Sequence, residues 1–186
     1  MNLTEMGKAA AAAKYEVQKM SASAKNAALL AVADALTGNC GRILEANGRD
    51  VSRAQENGMH PGMVDRLRLT EARVEAMAEG LRQIAGLADP LGEVLERFTR
   101  PNGLEIEKRR VPLGVIGIIY ESRPNVTADA IALCVKSGNA CVLRGGKEAF
   151  LSNCKIAEIM AGAAQRCGMP AGAVQLIQDT SRQSAM

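Results

Sequence analysis

Between residues 111 and 150 the chain reads VPLGVIGIIYESRPNVTADAIALCVKSGNACVLRGGKEAF, and apolar runs alternate with polar turns. Val115, Ile116, Ile118 and Ile119 form an apolar run without period-two alternation, the pattern of a parallel strand buried on both faces. A polar bend of Tyr120, Glu121, Ser122, Arg123 and Pro124 follows. Asn125 is placed to cap a helix whose apolar side carries Val126, Ala130, Leu133 and Val135, and Gly138 with Asn139 stops it. The next strand, Ala140 to Leu143, runs straight into Arg144, Gly145, Gly146 and Lys147. Two strands joined by one helix make a βαβ crossover, and open α/β sheets bind ligands beyond the carboxyl ends of their strands. Both polar turns lie there.

The flanking pattern is helical on one side and mixed on the other. Residues 4 to 36, rich in Ala, Leu, Lys and Glu, predict helix ended by GNCG, and residues 42 to 56 predict a second helix closed by Asn57 and Gly58. Thr70 caps a third, with Val74, Met77, Leu81, Ile84 and Leu87 at helical spacing, the signature of core packing. After Asp89 and Pro90, residues 93 to 110 alternate in polarity around Pro101, Asn102 and Gly103, a charged hairpin that is either a solvated edge or a subunit contact. Beyond the central stretch, Leu151 to Arg166 predicts a helix and Val174 to Ile177 a third short strand. Thr180 and Gln183 have the spacing of a capping box. The fold class is therefore α/β: N-terminal helices over 1–89, the hairpin over 93–110, and a βαβ core over 111–186 that forms an incomplete doubly wound parallel sheet. Three strands fall short of an independent α/β sheet, so the chain is expected to be the front part of a longer protein.

Composition narrows the function classes. Lys and Arg number 23 against 20 acidic residues, a balance too even and dispersed to argue for nucleic acid. With 2 Tyr, 2 Phe and no Trp there is no base-stacking platform, and no apolar stretch reaches membrane-spanning length. The 5 cysteines, Cys40, Cys134, Cys141, Cys154 and Cys167, show neither CxxC spacing nor even number, which points to a reduced, cytoplasmic protein without a zinc site or disulfide framework. His60, the only histidine, reads as a loop residue, since no carboxylate or cysteine stands at motif spacing.

Candidate chemistry concentrates in the two turns. Arg144, Gly145, Gly146 and Lys147 offer open backbone N–H groups flanked by cations, which suits phosphate; the alternative is an ordinary βα turn. Neither G-x-G-x-x-G nor a P-loop is present. Glu121, Ser122, Arg123 and Asn125 are substrate or oxyanion candidates: Arg123 to clamp a carboxylate or phosphate, Asn125 to donate to an oxyanion or simply to cap the helix.

The stretch VPLGVIGIIYESRPNVTADAIALCVKSGNACVLRGGKEAFLSN, followed by VQLIQDTSRQSA, resembles the γ-glutamyl phosphate reductases, a family of the aldehyde dehydrogenase superfamily. AKNAALLAVADAL, NGRDVSRAQENGM and VDRLRLT are similar to that family's N-terminal region, so the resemblance covers essentially all 186 residues. Full members are more than twice as long. The resemblance implies an aldehyde dehydrogenase-like coenzyme-binding domain for residues 1–186, with the catalytic domain absent from this chain. It implies reduction of L-glutamate 5-phosphate with NADPH to L-glutamate 5-semialdehyde and phosphate, the second step of proline biosynthesis. The family's nucleophilic cysteine lies in the later domain and none of the cysteines here matches it, so no catalytic residue is expected in this chain and no activity of the chain alone. Arg144 takes the place of a lysine that contacts the adenosine ribose in relatives, and Lys147 that of an acidic residue. Two cations favour the 2′-phosphate of NADPH. The hairpin resembles part of the superfamily's oligomerisation element, implying a homo-oligomer at full length. The competing reading is a non-catalytic nucleotide-binding or assembly module.

Overall fold

The computed structural model describes residues 2–181. Among these residues seven α-helices and five strands follow in the order α1 (Leu3–Lys19), α2 (Ala22–Gly38), α3 (Cys40–Glu56), α4 (Pro61–Leu67), α5 (Glu71–Gly86), β1 (Val94–Thr99), β2 (Glu105–Arg109), β3 (Val115–Ile119), α6 (Pro124–Lys136), β4 (Ala140–Arg144), α7 (Phe150–Arg166) and β5 (Val174–Leu176). A 3₁₀ turn, Lys147–Ala149, leads into α7. The architecture is mixed α/β: N-terminal helices, a parallel sheet ordered β3-β4-β5, and a separate antiparallel hairpin of β1 and β2.

The helical N-terminal region is not one long helix. Ser21 takes an extended conformation and its hydroxyl accepts from the N–H of Ala24, so α1 stops and α2 starts afresh. Near His60 the expected loop contains the short helix α4, capped by the imidazole of His60 accepting from Gly62 N–H. Thr70 caps α5 as predicted, but Leu87 falls just past its end and is exposed.

The β3–α6–β4 and β4–α7–β5 crossovers place α6 and α7 against the sheet. Both N-terminal and central elements feed one core, in which Leu29, Leu36, Ile43, Leu81, Ile131, Leu143, Ile156 and Met160 are all but inaccessible. Each such side chain contributes about 1.5–3 kcal/mol by leaving water. Two expectations for the centre fail. β3 is not buried on both faces: it is the edge of the three-stranded sheet, and while Ile116 and Ile118 pack on the core, Val115 and Ile119 are 39% and 64% exposed. α6 buries Ala128, Ile131, Ala132 and Val135, whereas Leu133 is exposed, because its orientation is set by α2 and α5 rather than by the outer stripe.

Long-range polar contacts seat α7, and with it the turn that precedes it. Asp50 of α3, 1% exposed, accepts from Ser152 N–H at 2.8 Å, Ser152 Oγ at 2.7 Å and Leu151 N–H at 3.3 Å, in the first turn of α7. Asn47, one helical turn earlier, donates to Ser152 Oγ at 3.0 Å and to Leu67 O at 2.9 Å, and accepts from Leu69 N–H at 2.7 Å. The amphipathic face of α3 thus carries a polar stripe that fixes the start of α7 and the 67–69 segment together.

Among the described residues no single helix is long and apolar enough to cross a membrane, and all 5 cysteines carry free thiols. The Thr180–Gln183 capping box cannot be followed, since Gln183 lies outside the described residues.

Candidate functional site

Both polar turns sit at the carboxyl ends of the strands and touch each other. The β3–β4 ladder runs as far as Tyr120 N–H on Arg144 O at 3.1 Å, and the β4–β5 ladder as far as Ile177 N–H on Leu143 O at 2.8 Å. Both end there. Among the described residues the N–H groups of Gly145 and Gly146 consequently have no acceptor.

Only glycine fits this junction. A Cβ on Gly146 would overlap Ser122 Oγ and stand 3.0 Å from Ser122 N and 3.1 Å from Glu148 Oε2. A Cβ on Gly145 would overlap Nδ2 of Asn153 and stand 3.1 Å from the Tyr120 ring. Asn153 is 1% exposed; its Oδ1 accepts from Thr127 at 3.0 Å, and its Nδ2 has no partner among the described residues. Thr127 also shares a 2.6 Å hydrogen bond with the Tyr120 hydroxyl, whose pKa burial pushes up to about 12. Tyr120 is therefore a neutral phenol throughout the physiological range. The junction thus combines two backbone N–H groups that have no acceptor among the described residues with a buried amide packed behind Gly145, and the N–H pair suits oxygens of an anionic or hydroxyl-bearing ligand.

The predicted residues divide around this junction. Arg144 Nη2 donates to the carbonyls of Thr180 and Ser181 at 3.2 and 3.0 Å, closing the segment after β5 over the sheet. Lys147 is exposed on the wall of a cavity of about 910 Å³, together with Arg53, His60, Asp50, Glu148 and Thr180. Ser122 gives its hydroxyl hydrogen to Glu148. Both carboxylates of that cavity are thus engaged inward, Asp50 by α7 and Glu148 by Ser122. Arg123 and Asn125 line a different cavity. Glu121 pairs with Arg123 in an exposed contact at 3.0 Å.

Asn125 is not the helix cap expected of it. Arg123 occupies the N-cap position, Pro124 starts the helix, and the Asn125 amide leans on Asp129 at 3.4 Å. Proline at the first helical position, where no N–H is needed, explains the shift by two residues. No dedicated oxyanion donor stands out, since Ser122 is committed to Glu148.

The thiols are poorly placed for nucleophilic work. Burial pushes the Cys40 and Cys154 thiols up; Cys141 lies well above the usual range through its hydrogen bond to Cys134 and through burial. That bond lowers Cys134, which is however 4% exposed. Among the described residues no group of three His, Cys, Asp or Glu side chains could hold a metal ion.

Asn153, Glu148, Asp50 and Asp129 were not foreseen as site residues. Asn153, Glu148 and Asp50 act across separations that no local motif records, whereas Asp129 lies four residues from its partner Asn125. Only the polar residues at the start of an otherwise apolar α7 hinted at them.

The model of the aldehyde dehydrogenase family matches residues 2–186. A gamma-glutamyl phosphate reductase of Syntrophomonas wolfei is 53% identical over 184 residues, which is 99% of this chain and 44% of the relative. The crystal structure of gamma-glutamyl phosphate reductase from Thermotoga maritima superposes with a TM-score of 0.96 at 39% identity, covering 99% of this chain and 44% of that one. The enzyme of the same description from Saccharomyces cerevisiae gives 0.91 at 34%, covering 97% and 47%. The chain thus spans less than half the length of the relatives it matches.

Proposed function

The chain belongs to the aldehyde dehydrogenase family, and from that premise we propose that it carries the coenzyme-binding part of an NADPH-dependent γ-glutamyl phosphate reductase. In the overall reaction L-glutamate 5-phosphate, NADPH and a proton give L-glutamate 5-semialdehyde, NADP⁺ and phosphate. The observation that carries the reading is the shared end of both strand ladders at Gly145 and Gly146, with the Asn153 amide orphaned beside them.

The residues present fit a nicotinamide dinucleotide. Among the described residues the Gly145 and Gly146 N–H groups and the buried Asn153 amide are donors without partners, and Lys147 adds a cation on the adjoining cavity wall. When bound, the dinucleotide supplies the hydride. Preference for the 2′-phosphate over a free ribose follows from the cavity's charges. Among the described wall residues both carboxylates, Asp50 and Glu148, are held inward, away from ribose hydroxyls, while Lys147 and Arg53 remain at the wall. Arg144 shapes the site by holding the 180–181 carbonyls. The hairpin exposes Leu95 and Phe98 and is the segment we assign to contact between subunits.

A direct test joins this chain to the remaining segment of the Syntrophomonas relative and follows NADPH formation from glutamate 5-semialdehyde, NADP⁺ and phosphate. Activity that needs both parts and favours NADP⁺ over NAD⁺ supports the reading. A chain that binds nucleotide but never completes an active enzyme supports a non-catalytic module instead.

A further inference from the structure

A second cavity, of about 650 Å³, opens between α4, α5 and the start of α6, and Asp65, Arg66, Arg68, Arg73, Arg123 and Asp129 are on its wall. Its charges are unevenly committed. Arg73 is fixed: its guanidinium donates to the backbone carbonyls of Asp65 and Arg68 and pairs with the Asp65 carboxylate at 3.2 Å. It therefore shapes the wall and neutralises Asp65. Arg66 and Arg68 are exposed and make no ion pair among the described residues. Arg123 Nε lies 3.0 Å from Glu121 Oε1 without the alignment of a hydrogen bond, leaving that guanidinium loosely held.

Asp129 is the opposite case. It is half-buried, among the described residues its carboxylate accepts one hydrogen bond, from the Asn125 amide at 3.4 Å, and burial pushes its carboxyl up. The cavity thus holds guanidinium groups able to take a carboxylate in a fork and one carboxylate lacking a cation. A phosphate would satisfy the first and be repelled by the second. A zwitterion satisfies both.

We propose that this cavity is the subsite for the α-amino-acid head of the substrate, with Arg123, assisted by Arg66 and Arg68, taking the α-carboxylate and Asp129 the α-ammonium. The proposal rests on the reductase reading and names its specificity-determining residues. Ser122 abuts Gly146, while the next residue, Arg123, lines the head-group cavity, so the two sites adjoin along one turn. An analogue with a blocked amine leaves Asp129 unpaired and is rejected.

Amide-resolved NMR of the nitrogen-labelled chain, titrated separately with L-glutamate, N-acetyl-L-glutamate, inorganic phosphate and NADPH, tests this. The expected result is saturable L-glutamate binding that shifts Arg66, Arg68, Arg123 and Asp129. Binding of N-acetyl-L-glutamate should be weaker by about tenfold or more, the loss of one charge-assisted contact. Asp129→Asn and Arg123→Gln should each weaken L-glutamate by a similar factor, with partial rescue by Arg123→Lys; the same spectra report that each variant is folded. Equal binding of phosphate or N-acetyl-L-glutamate overturns the proposal in favour of a generic anion site. NADPH binding without glutamate binding overturns the subsite alone, whereas a folded chain that binds neither overturns the reductase reading as well.

Discussion

Replacing Asp50 by Asn should destabilise the chain by about 2–4 kcal/mol, although the two side chains are nearly isosteric. The carboxylate is 1% exposed; one oxygen takes both Ser152 donors at 2.8 and 2.7 Å, and the other takes Leu151 N–H at 3.3 Å and lies 3.0 Å from Arg53. An amide keeps its oxygen on Ser152 and must then turn its NH₂ toward Leu151 N–H and Arg53, donors facing a donor. Losing a charged hydrogen bond in a buried setting costs about 1.5–3 kcal/mol. Losing the negative charge at the start of α7 adds about 0.3–1 kcal/mol. The Arg53 pair adds little, because that guanidinium is 52% exposed. For a chain of this size the sum corresponds to a melting-temperature drop of roughly 5–15 °C. Urea unfolding followed by circular dichroism measures it, and a double-mutant cycle with Ser152→Ala should show non-additivity, since Ser152 donates to Asp50 twice. A loss below about 0.5 kcal/mol, or strict additivity, would refute the assignment of Asp50 as the anchor of α7.

Two glycines should respond with opposite sign. Gly146→Ala drives a Cβ against Ser122 and Glu148 and should cost about 1–3 kcal/mol and weaken cofactor binding; Gly48→Ala, inside α3 with nothing within 4 Å, should stabilise by up to about 1 kcal/mol. Equal effects at the two positions in urea melts contradict the crowding argument. Tyr120 supplies a pH dependence. Its folded pKa is raised from 10.0 to about 12, so its contribution to stability is whole below pH 10 and is lost as pH rises toward 12. Stability curves across that window should fall more steeply for the native chain than for Tyr120→Phe, and parallel curves count against a buried phenol.

What the sequence disclosed and what it hid follow a physical divide. The βαβ unit, the hairpin and the Thr70 cap are local patterns: β-branched runs bounded by glycines, a Pro-Asn-Gly turn, a hydroxyl three residues before the amide it accepts from. The break at Ser21 rests on an equally local cap but was masked by strong helix propensity on both sides. Of the apolar side expected for α6, Val135 is buried and Ala130 packs against the core, but Leu133 is exposed while Ala128 and Ile131 are buried; these residues are equally apolar, and only packing against α2 and α5 chooses between them. The exposure of β3 depends on where it falls in the sheet, and strand order is not written in any single strand. At the site, the RGGK turn was visible as sequence. The Asn153 amide behind it, the Glu148 clamp on Ser122 and the Asp129 carboxylate beside Arg123 arise from α7 and α6 folding back, contacts between residues as many as 26 apart.

The most direct test of the account is a titration of the purified chain with NADPH and, in parallel, NADH, repeated with Lys147→Ala. The account predicts saturable NADPH binding about tenfold or more tighter than NADH, the worth of one charge-assisted phosphate contact, and loss of that preference in the variant. A folded chain that binds both nucleotides equally, or whose preference survives removal of Lys147, would contradict it.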